Sequence, residues 1–249
     1  MKVKKIITLL ICLCFPSRAL PFLLRILGYK VGEKIKIGFS IIWLDSIELK
    51  DNVKIGHFNL VNVASLNMSK YSYLQNFNIL SGPINVLLDE KASFGNFNIV
   101  RRAPIGITYG KAEIKLGQLA RITSSHYIDC TRNVEVGDFS ILAGKNSQIW
   151  THGYYHDQKG PGRYRIDGDV KIGSNVYVGS RCIFNLGVKV VDGVTIGSGA
   201  IVSKSLNKKG LYVSQRLRHI ETNADMAKAS LFKIDKEGLC EEVYEKRIS

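Results

Sequence analysis

Apolar residues recur at every sixth position in the carboxyl-terminal half of the chain. From Ile172 the sequence reads IGSNVY, VGSRCI, FNLGVK, VVDGVT, IGSGAI and VSKSLN. The first position of each hexad is aliphatic or aromatic, the fifth is small or aliphatic, and the second is glycine in three hexads. Such hexads are typical of a parallel β-helix, in which each unit is a short strand plus a corner and three units close one coil of about 18 residues.

Traces of the same period lie upstream. They are VGEKIK with IG (31–38), LKDNVK with IGHFNL (49–60), LGQLAR (116–121) and VGDFSI (136–141). Between residues 62 and 110 the glycines thin out, although the alternation of Phe94, Phe97 and Ile99 is consistent with short strands. We therefore predict an all-β chain folded as a left-handed parallel β-helix, with less regular early coils.

This pattern divides the chain into three parts. The hexapeptide-repeat solenoid is expected over residues 31–220, with a loop insertion at 143–170 where the period fails. A short apolar and basic helical segment, residues 1–30, precedes it. Residues 221–249 are charged and follow the last hexad, so they are expected to form a carboxyl-terminal cap or tail.

The amino-terminal segment combines basic and apolar residues. Three lysines within the first five residues precede the largely apolar run 6–15, which is shorter than the roughly 20 residues needed to span a bilayer. A second helix is predicted from Ser17, its expected N-cap, to Gly28, its expected C′ residue. Two interpretations stay open: a helical cap over the open end of the solenoid, and a peripheral membrane anchor.

The charge balance points to anionic partners. Lysine and arginine total 35 against 21 acidic residues, a formal net charge of +14. A nucleic acid, an anionic membrane face and a phosphorylated cofactor all suit that sign, but no nucleic-acid-binding motif is present, so no nucleic acid is expected. The five cysteines form no regular framework, which indicates reduced thiols in a cytoplasmic protein.

The insertion at 143–170 holds the candidate chemistry. It is rich in glycine, tyrosine and charge, and it contains His152 and His156. An insertion into a solenoid has to leave it as a surface loop, and loops on rigid scaffolds often carry function. A neutral imidazole near physiological pH suits a general base.

These histidines, followed by YVGSRC and VSKS, give the chain its family resemblance. Roughly from Gly28 to Ile220 it resembles the hexapeptide-repeat acetyltransferases, most of all the sugar O-acetyltransferases of bacterial surface-polysaccharide biosynthesis. The resemblance implies acetyl-CoA as the acyl donor, a sugar hydroxyl of a glycan precursor as acceptor, a loop histidine as general base, and a homotrimer. The Gly-x-x-His spacing of Gly153 and His156 favours His156 as the base. His152 would then line the acceptor pocket or help to place the base.

The same resemblance carries over to positions along acetyl-CoA. It implies an aromatic beside the acyl-pantetheine channel, small residues along the thioester and pantetheine, and a hydroxyl with basic residues at the adenine and phosphates. The aromatic is Tyr177, and the small residues are Gly179, Ser180 and Ser198. The hydroxyl and the basic residues are Ser203, Lys204 and Arg218. A proline that the family has near its last coil is missing, and Ser214 to Leu217 stand in its place.

Three alternatives remain beside O-acetylation at the inner face of the cytoplasmic membrane. One is N-acylation of a nucleotide-linked amino sugar on the same scaffold. Another is a zinc-dependent protein of the carbonic-anhydrase type, for which His126, His152 and His156 would have to converge; no metal is expected in the acyltransferase interpretation. The last is a non-catalytic binding module, which the histidine-bearing loop disfavours.

Overall fold

The computed structural model describes residues 2–214, 229, 232–234 and 243–245. The chain divides into two compact units, Met1–Ser214 and Gln215–Ser249. The first unit is a left-handed parallel β-solenoid of about nine turns preceded by two short helices, so the predicted fold class is confirmed. In the second unit, the described strands β25 (Phe232–Ile234) and β26 (Val243–Glu245) pair antiparallel.

Each coil follows three faces, which we name A, B and C in the order that the chain visits them. Three early strands run along faces A and B together: β3 (Ile41–Leu49), β5 (Leu60–Met68) and β7 (Ile79–Leu88). Face A continues with β9 (Ile99–Arg101), β12 (Tyr127–Asp129), β15 (Gln148–Ile149), β20 (Ile183–Phe184) and β23 (Ile201–Val202). Face B holds β1 (Lys30–Val31), β10 (Ala112–Leu116), β13 (Val134–Val136), β18 (Val170–Ile172) and β21 (Lys189–Val190).

Face C is a separate parallel sheet. Its strands are β2 (Lys36–Ile37), β4 (Lys54–Ile55), β6 (Tyr73–Leu74), β8 (Ser93–Phe94), β11 (Arg121–Ser124), β14 (Ile141–Lys145), β19 (Tyr177–Val178), β22 (Val194–Ile196) and β24 (Gly210–Tyr212). Because the strands of successive coils pair in register, each inward residue stacks on its counterpart one coil away. This stacking produces one continuous apolar core.

The hexad positions fill that core as predicted. The leading residues of the six hexads are all buried, namely Ile172, Val178, Phe184, Val190, Ile196 and Val202. The fifth position is also inward, and Cys182 is fully buried there, with its thiol facing the carbonyl of Gly197. At the second position of the same hexad, a Cβ on Gly179 would lie 2.6 Å from the backbone nitrogen of Ser198. Glycine therefore permits the close approach of successive coils.

The early coils are regular although they have few glycines. At the corner between faces C and A, Phe58, Phe77 and Phe97 adopt φ values of 57°, 59° and 60°. Bulky residues seldom occupy this left-handed region, but here the rings stack, with centroids 5.1 and 5.0 Å apart. The corner geometry is thus maintained without glycine.

A buried polar ladder runs beside these phenylalanines. The side-chain oxygen of Asn59 accepts from the Nδ2 of Asn78 at 3.1 Å, and that of Asn78 accepts from Asn98 in the same way at 3.1 Å. The backbone nitrogen of His126 donates to Asn98 at 3.0 Å, and the backbone nitrogen of Ser147 donates to the Nδ1 of His126 at 3.1 Å. Each coil therefore satisfies the buried polar groups of the next.

Two helices cover the amino-terminal end, α1 (Lys2–Cys14) and α2 (Leu20–Ile26). Leu20 and Leu24 of α2 are fully buried in the core cluster that continues into the first coils. The helix begins after Ser17, with Ala19 as its N-cap and Pro21 in its first turn, a position that proline favours. Ser17 is thus not the cap that was predicted, whereas Gly28, at φ 74°, does follow the helix as expected. In the part of the chain that the structure describes, neither helix is long and apolar enough to span a membrane.

Two excursions leave the corner between faces A and B, which we name the AB corner. One is the segment 102–111 between β9 and β10. The other is a hairpin of β16 (His152–His156) and β17 (Arg163–Asp167). The hairpin is shorter than the predicted insertion 143–170. Residues up to Ile149 still belong to the regular coil, because Ile149 pairs with Ile128 of the preceding coil.

We expect His126 to make stability depend on pH between about 6.5 and 4. Burial lowers its pKa from 6.5 to about 4, because desolvation penalises the charged ring by more than the backbone contacts with Ser147 and Gly144 raise the pKa. The unfolded chain binds a proton at His126 below pH 6.5 and the folded chain does not. The free energy of unfolding should therefore fall by roughly 3 kcal/mol as the pH drops through this window.

Urea unfolding followed by circular dichroism across this pH range checks that prediction. The matched control is His126→Asn, which places in this coil the residue that the ladder uses at Asn78 and Asn98. The variant should lose less stability than the wild type on acidification. Parallel pH dependences for the two proteins would contradict the assignment.

Candidate functional site

The AB corner brings a carboxylate and an imidazole from successive coils into contact. Asp129 ends β12 and His152 begins β16, and the Oδ2 of Asp129 lies 2.8 Å from the Nδ1 of His152. The Asp129 side chain is only 7% exposed, whereas that of His152 is 26% exposed. A buried acid thus holds an accessible histidine.

Two threonines complete the coordination of the Asp129 carboxylate. Thr151 donates to Oδ2 from its hydroxyl at 2.6 Å and from its backbone nitrogen at 3.0 Å. Thr131 donates to Oδ1 at 2.9 Å. These donors fix the orientation of the carboxylate.

This network determines the tautomer that we assign to His152. An ionised carboxylate can only accept, so the Nδ1 of His152 carries the hydrogen in their 2.8 Å contact. In the neutral ring, Nε2 is then left as the acceptor. An oriented imidazole with a free acceptor nitrogen can take a proton from a hydroxyl group.

Aromatic rings surround this histidine. The ring centroid of Trp150 lies 6.4 Å from that of His152 and 5.1 Å from that of Tyr127. Tyr154 contacts the His152 ring edge-on, with centroids 5.9 Å apart. Tyr154 itself is half exposed, so the site offers an aromatic wall to a ligand.

Guanidinium groups form the rim of the site. Arg163 lies over the Tyr154 ring at 4.9 Å. Arg101 pairs in register with Asp129, is exposed, and has no carboxylate partner within the described residues. Arg132 lies 3.4 Å from Asp169 and stacks over the ring of Tyr109. The rim therefore favours an anionic reactant.

Two arginines fix the excursions around the site. Arg165 donates to both oxygens of Asp167, and its Nη1 bonds the carbonyl of Ile107, which ties the hairpin to segment 102–111. The hydrogen bond to Asp167 raises the pKa of Arg165. Arg102 is buried and donates to the carbonyls of Pro83, Tyr109 and Gly110, and burial lowers its pKa. Arg165 and Arg102 therefore hold both excursions in place through these hydrogen bonds.

His156 lies apart from this network. It ends β16 opposite Arg163 and is exposed, and its side chain has no hydrogen-bond partner in the described part of the chain. Four residues along an extended strand separate it from His152 by about 13 Å. The structure therefore gives the positioning group to His152, whereas the family spacing favoured His156.

The predicted acetyl-CoA residues fall at two places. Tyr177 is half exposed on face C, and Gly179, Ser180 and Ser198 follow at the corner between faces C and A, where the backbone nitrogen of Ser180 donates to the hydroxyl of Ser198 at 3.2 Å. Ser203 and Lys204 are exposed at the AB corner, two coils beyond His152. Within one chain, the structure thus brings only the second pair to the corner that holds His152. Arg218 lies outside the described residues.

The three histidines considered for zinc do not meet. His126 is buried at the corner between faces C and A, where its Nε2 bonds the hydroxyl of Thr123 at 2.9 Å. His152 and His156 belong to the hairpin at the AB corner. Among the described residues, no group of three or more His, Cys, Asp and Glu side chains is arranged to hold a metal ion.

Sequence reasoning missed Asp129, Thr131 and Thr151. Asp129 and His152 are 23 residues apart in sequence, and nothing in the hexad pattern marks the residues between strands as neighbours. The observed register pairs Ile128 with Ile149, which places Thr131 opposite His152 and Asp129 opposite Trp150. The contact between Asp129 and His152 therefore depends on the turn that follows the paired strands, which no sequence motif marks.

No model of a known protein family matches the chain. Among solved structures, AntD, an N-acyltransferase from Bacillus cereus in complex with dTDP and 3-hydroxybutyryl-CoA, is 16% identical, with 87% of this chain and 94% of that chain covered and a TM-score of 0.40. The polySia-specific acetyltransferase NeuO is 17% identical over 75% of this chain and 82% of its own, with a TM-score of 0.40. A maltose O-acetyltransferase from Clostridium difficile 630 is 18% identical over 89% and 86%, with a TM-score of 0.25. Because these identities are 16–18% and the TM-scores are 0.40 or lower, the reaction is inferred from the residues of this chain.

We expect the neutral His152 ring to carry its proton on Nδ1. The contact with Asp129 stabilises that tautomer, whereas the exposed side chain of His156 has no hydrogen-bond partner among the described residues to select one. Long-range ¹H–¹⁵N spectra at mildly alkaline pH, assigned with His152→Ala and His156→Ala, report the protonation of each ring nitrogen. Asp129→Asn should abolish the preference at His152 alone. A predominant Nε2–H tautomer at His152 in the wild type would refute the assigned geometry.

Proposed function

We propose that this protein is an acetyl-CoA-dependent O-acetyltransferase that acts on a sugar hydroxyl of a bacterial surface-polysaccharide precursor. The observation that carries the proposal is the 2.8 Å contact between Asp129 and the Nδ1 of His152. It leaves Nε2 accessible at a corner lined by aromatic rings and guanidinium groups. His152 is proposed as the general base, and Asp129 as the residue that positions it.

The proposed reaction needs one base and no further reactant. The Nε2 of His152 takes the proton from the sugar hydroxyl as the oxygen attacks the thioester carbonyl carbon of acetyl-CoA. A carbon–oxygen bond forms, and the carbon–sulfur bond then breaks. The imidazolium returns the proton to the departing thiolate, which leaves as free coenzyme A. Asp129 stabilises the transient positive charge on the ring.

The walls of the site suit both substrates. Trp150 and Tyr154 present aromatic surfaces next to His152, and such surfaces pack against the apolar faces of sugar rings. Ser203 and Lys204 are proposed to meet the donor, because they share the corner with His152 and a lysine suits the phosphates of acetyl-CoA. The roles proposed for Tyr177, Gly179, Ser180 and Ser198 along the pantetheine require a second subunit that brings their corner to this one.

The presence of a positioned base favours a hydroxyl acceptor over an amine. A neutral amine is already a nucleophile, whereas a hydroxyl becomes a strong one only as its proton leaves. The N-acylation of a nucleotide-linked amino sugar is the alternative on the same scaffold. The product distinguishes the two, because alkaline hydroxylamine cleaves an ester and leaves an amide intact.

We further propose a homotrimer that works in the cytoplasm, where acetyl-CoA is available, at the inner face of the membrane. The outer surface of face A supports the association. At the start of this face, outward residues of successive coils form an apolar row in the early coils. Ile41 and Leu60 in this row are exposed, and Ile79 and Ile99 continue it in register. The stacked corner residues Phe58, Phe77 and Phe97, which are exposed, border this row. Large exposed apolar surfaces usually mark protein contacts.

We expect His152→Ala to lower acceptor-dependent thiol release from acetyl-CoA by about 10²- to 10⁴-fold, because the base is lost. His156→Ala is the matched control on the same strand and should retain activity within about threefold, since surface side chains outside a site contribute little. Binding of acetyl-CoA, measured by calorimetry, should persist in both. Loss of activity in His156→Ala alone would assign the base to His156 and contradict the proposal.

We expect Leu60→Glu to break the trimer. A carboxylate in the centre of an apolar interface would have to be buried without a partner, which costs several kcal/mol. Sedimentation equilibrium should give a trimer for the wild type and a smaller species for the variant, while Leu119→Glu, exposed at the corner between faces B and C, should stay trimeric. A wild-type monomer at micromolar concentration would refute the assembly.

A further inference from the structure

Helix α1 has an apolar stripe on the side that faces away from the solenoid. The exposed residues are spaced three and four apart, as on one face of a helix: Val3, Ile6, Ile7, Leu10 and Cys14. Leu10 is 52% exposed at the centre of the stripe. An amphipathic surface helix normally exposes polar residues on this side. Within the part of the chain that the structure describes, nothing covers the stripe.

The orientation of α1 is fixed by its opposite side. Ile11 and Cys12 are buried in the core cluster. Lys5 pairs with Asp45 of β3 at 2.8 Å, and the hydroxyl of Thr8 lies 3.0 Å from the phenol oxygen of Tyr29. The packing of the inner side therefore holds the stripe outward in the folded protein.

Helix α2 is apolar on both sides in the same way. Leu20 and Leu24 are buried against the end of the solenoid. Phe22 and Ile26 point away from it and are 63% and 66% exposed. Capping the solenoid thus explains one side of each helix and leaves the other side apolar and in contact with water.

A basic groove lies beside Phe22. It has a volume of about 620 Å³ and runs between α2 and the first coil. Its charged lining residues are four cations and one acid: Arg18, Arg25, Lys34, Lys36 and Glu33. Glu33 is also the first acidic residue of the chain, since the preceding residues include six basic ones and no aspartate or glutamate. Positive charge and exposed apolar side chains therefore occur together at this end.

We propose that this end of the protein binds the surface of a bilayer that contains anionic phospholipid. Phe22, Ile26 and the α1 stripe enter the boundary between headgroups and acyl chains, and Arg18 with Lys34 and Lys36 meets the phosphates in the groove. Apolar side chains flanked by lysine and arginine are the composition of helices that lie in the membrane interface. The inference deepens the membrane location proposed above, on which it rests, but it does not depend on the proposed reaction.

Charge selects this occupant over another apolar surface. In the groove, Arg25 lies 3.6 Å from Glu33, whereas Arg18, Lys34 and Lys36 have no carboxylate partner among the described residues. An uncharged protein surface packed on the stripe would bury apolar area but would leave these three cations without counter-ions. An anionic bilayer supplies both kinds of contact at once, and each basic residue near such a surface adds to binding. The proposal therefore requires that binding depends on lipid charge as well as on the apolar residues.

Vesicle co-sedimentation of the full-length protein tests the proposal. The vesicles contain phosphatidylcholine alone or equal parts of phosphatidylcholine and phosphatidylglycerol. The wild type should bind the mixed vesicles, bind the neutral ones at least about tenfold more weakly, and dissociate as salt is added. Leu10→Glu and Phe22→Glu should each weaken binding to the mixed vesicles by about tenfold or more, because an apolar side chain that would enter the bilayer is replaced by a charge.

The matched control is Leu119→Glu, which makes the same kind of change at an exposed leucine of the middle coils. It should bind as the wild type does. A second measurement does not depend on whether the helix variants fold. The emission of an environment-sensitive dye attached to exposed Cys14, in a Cys240→Ser background, should shift to the blue when mixed vesicles are added. Absence of wild-type binding to the mixed vesicles, equal binding by Leu10→Glu and wild type, or an unshifted dye would each overturn the proposal.

Discussion

Hydrogen bonds between successive coils hold the strand residues of each face beside their counterparts one turn along. The strands of each face are parallel and in register, so the inward side chains form continuous stacks. The corners have to turn by the same amount in every coil for this register to persist. Left-handed residues at the corners provide that turn, whether they are glycine or, as at Phe77, a bulky side chain stacked on its neighbours. Core, corners and ladder therefore depend on one another.

The same register builds the site. Asp129 and Thr151 come from neighbouring coils, and because those coils are aligned the carboxylate receives two hydrogen bonds from Thr151 and one contact from His152. Excursions at the AB corner then add what a regular coil lacks. The hairpin provides Tyr154, and Arg165 fastens it to segment 102–111 through the carbonyl of Ile107. A rigid scaffold thus positions groups that are distant in sequence, which is the condition for a preorganised base.

The predictability of each part follows from the range of its interactions. The hexads after Ile172 repeat a local pattern, so the solenoid and its buried positions were readable from the sequence. The early coils carry a longer period, visible in Phe58–Asn59, Phe77–Asn78 and Phe97–Asn98, which glycine residues do not mark. The loop histidines were found by composition. Choosing between His152 and His156 as the base required the position of Asp129. That position is set by the alignment of two coils and by no motif near His152.

The central claim is that the Nε2 of His152 faces the hydroxyl that is acetylated. A crystal structure with an unreactive acetyl-CoA analogue and the acceptor sugar measures this directly. The account predicts about 2.6–3.2 Å between Nε2 and the acceptor oxygen, with the Asp129 contact to Nδ1 retained. An acceptor oxygen bound beside His156, beyond hydrogen-bond reach of His152, would contradict it.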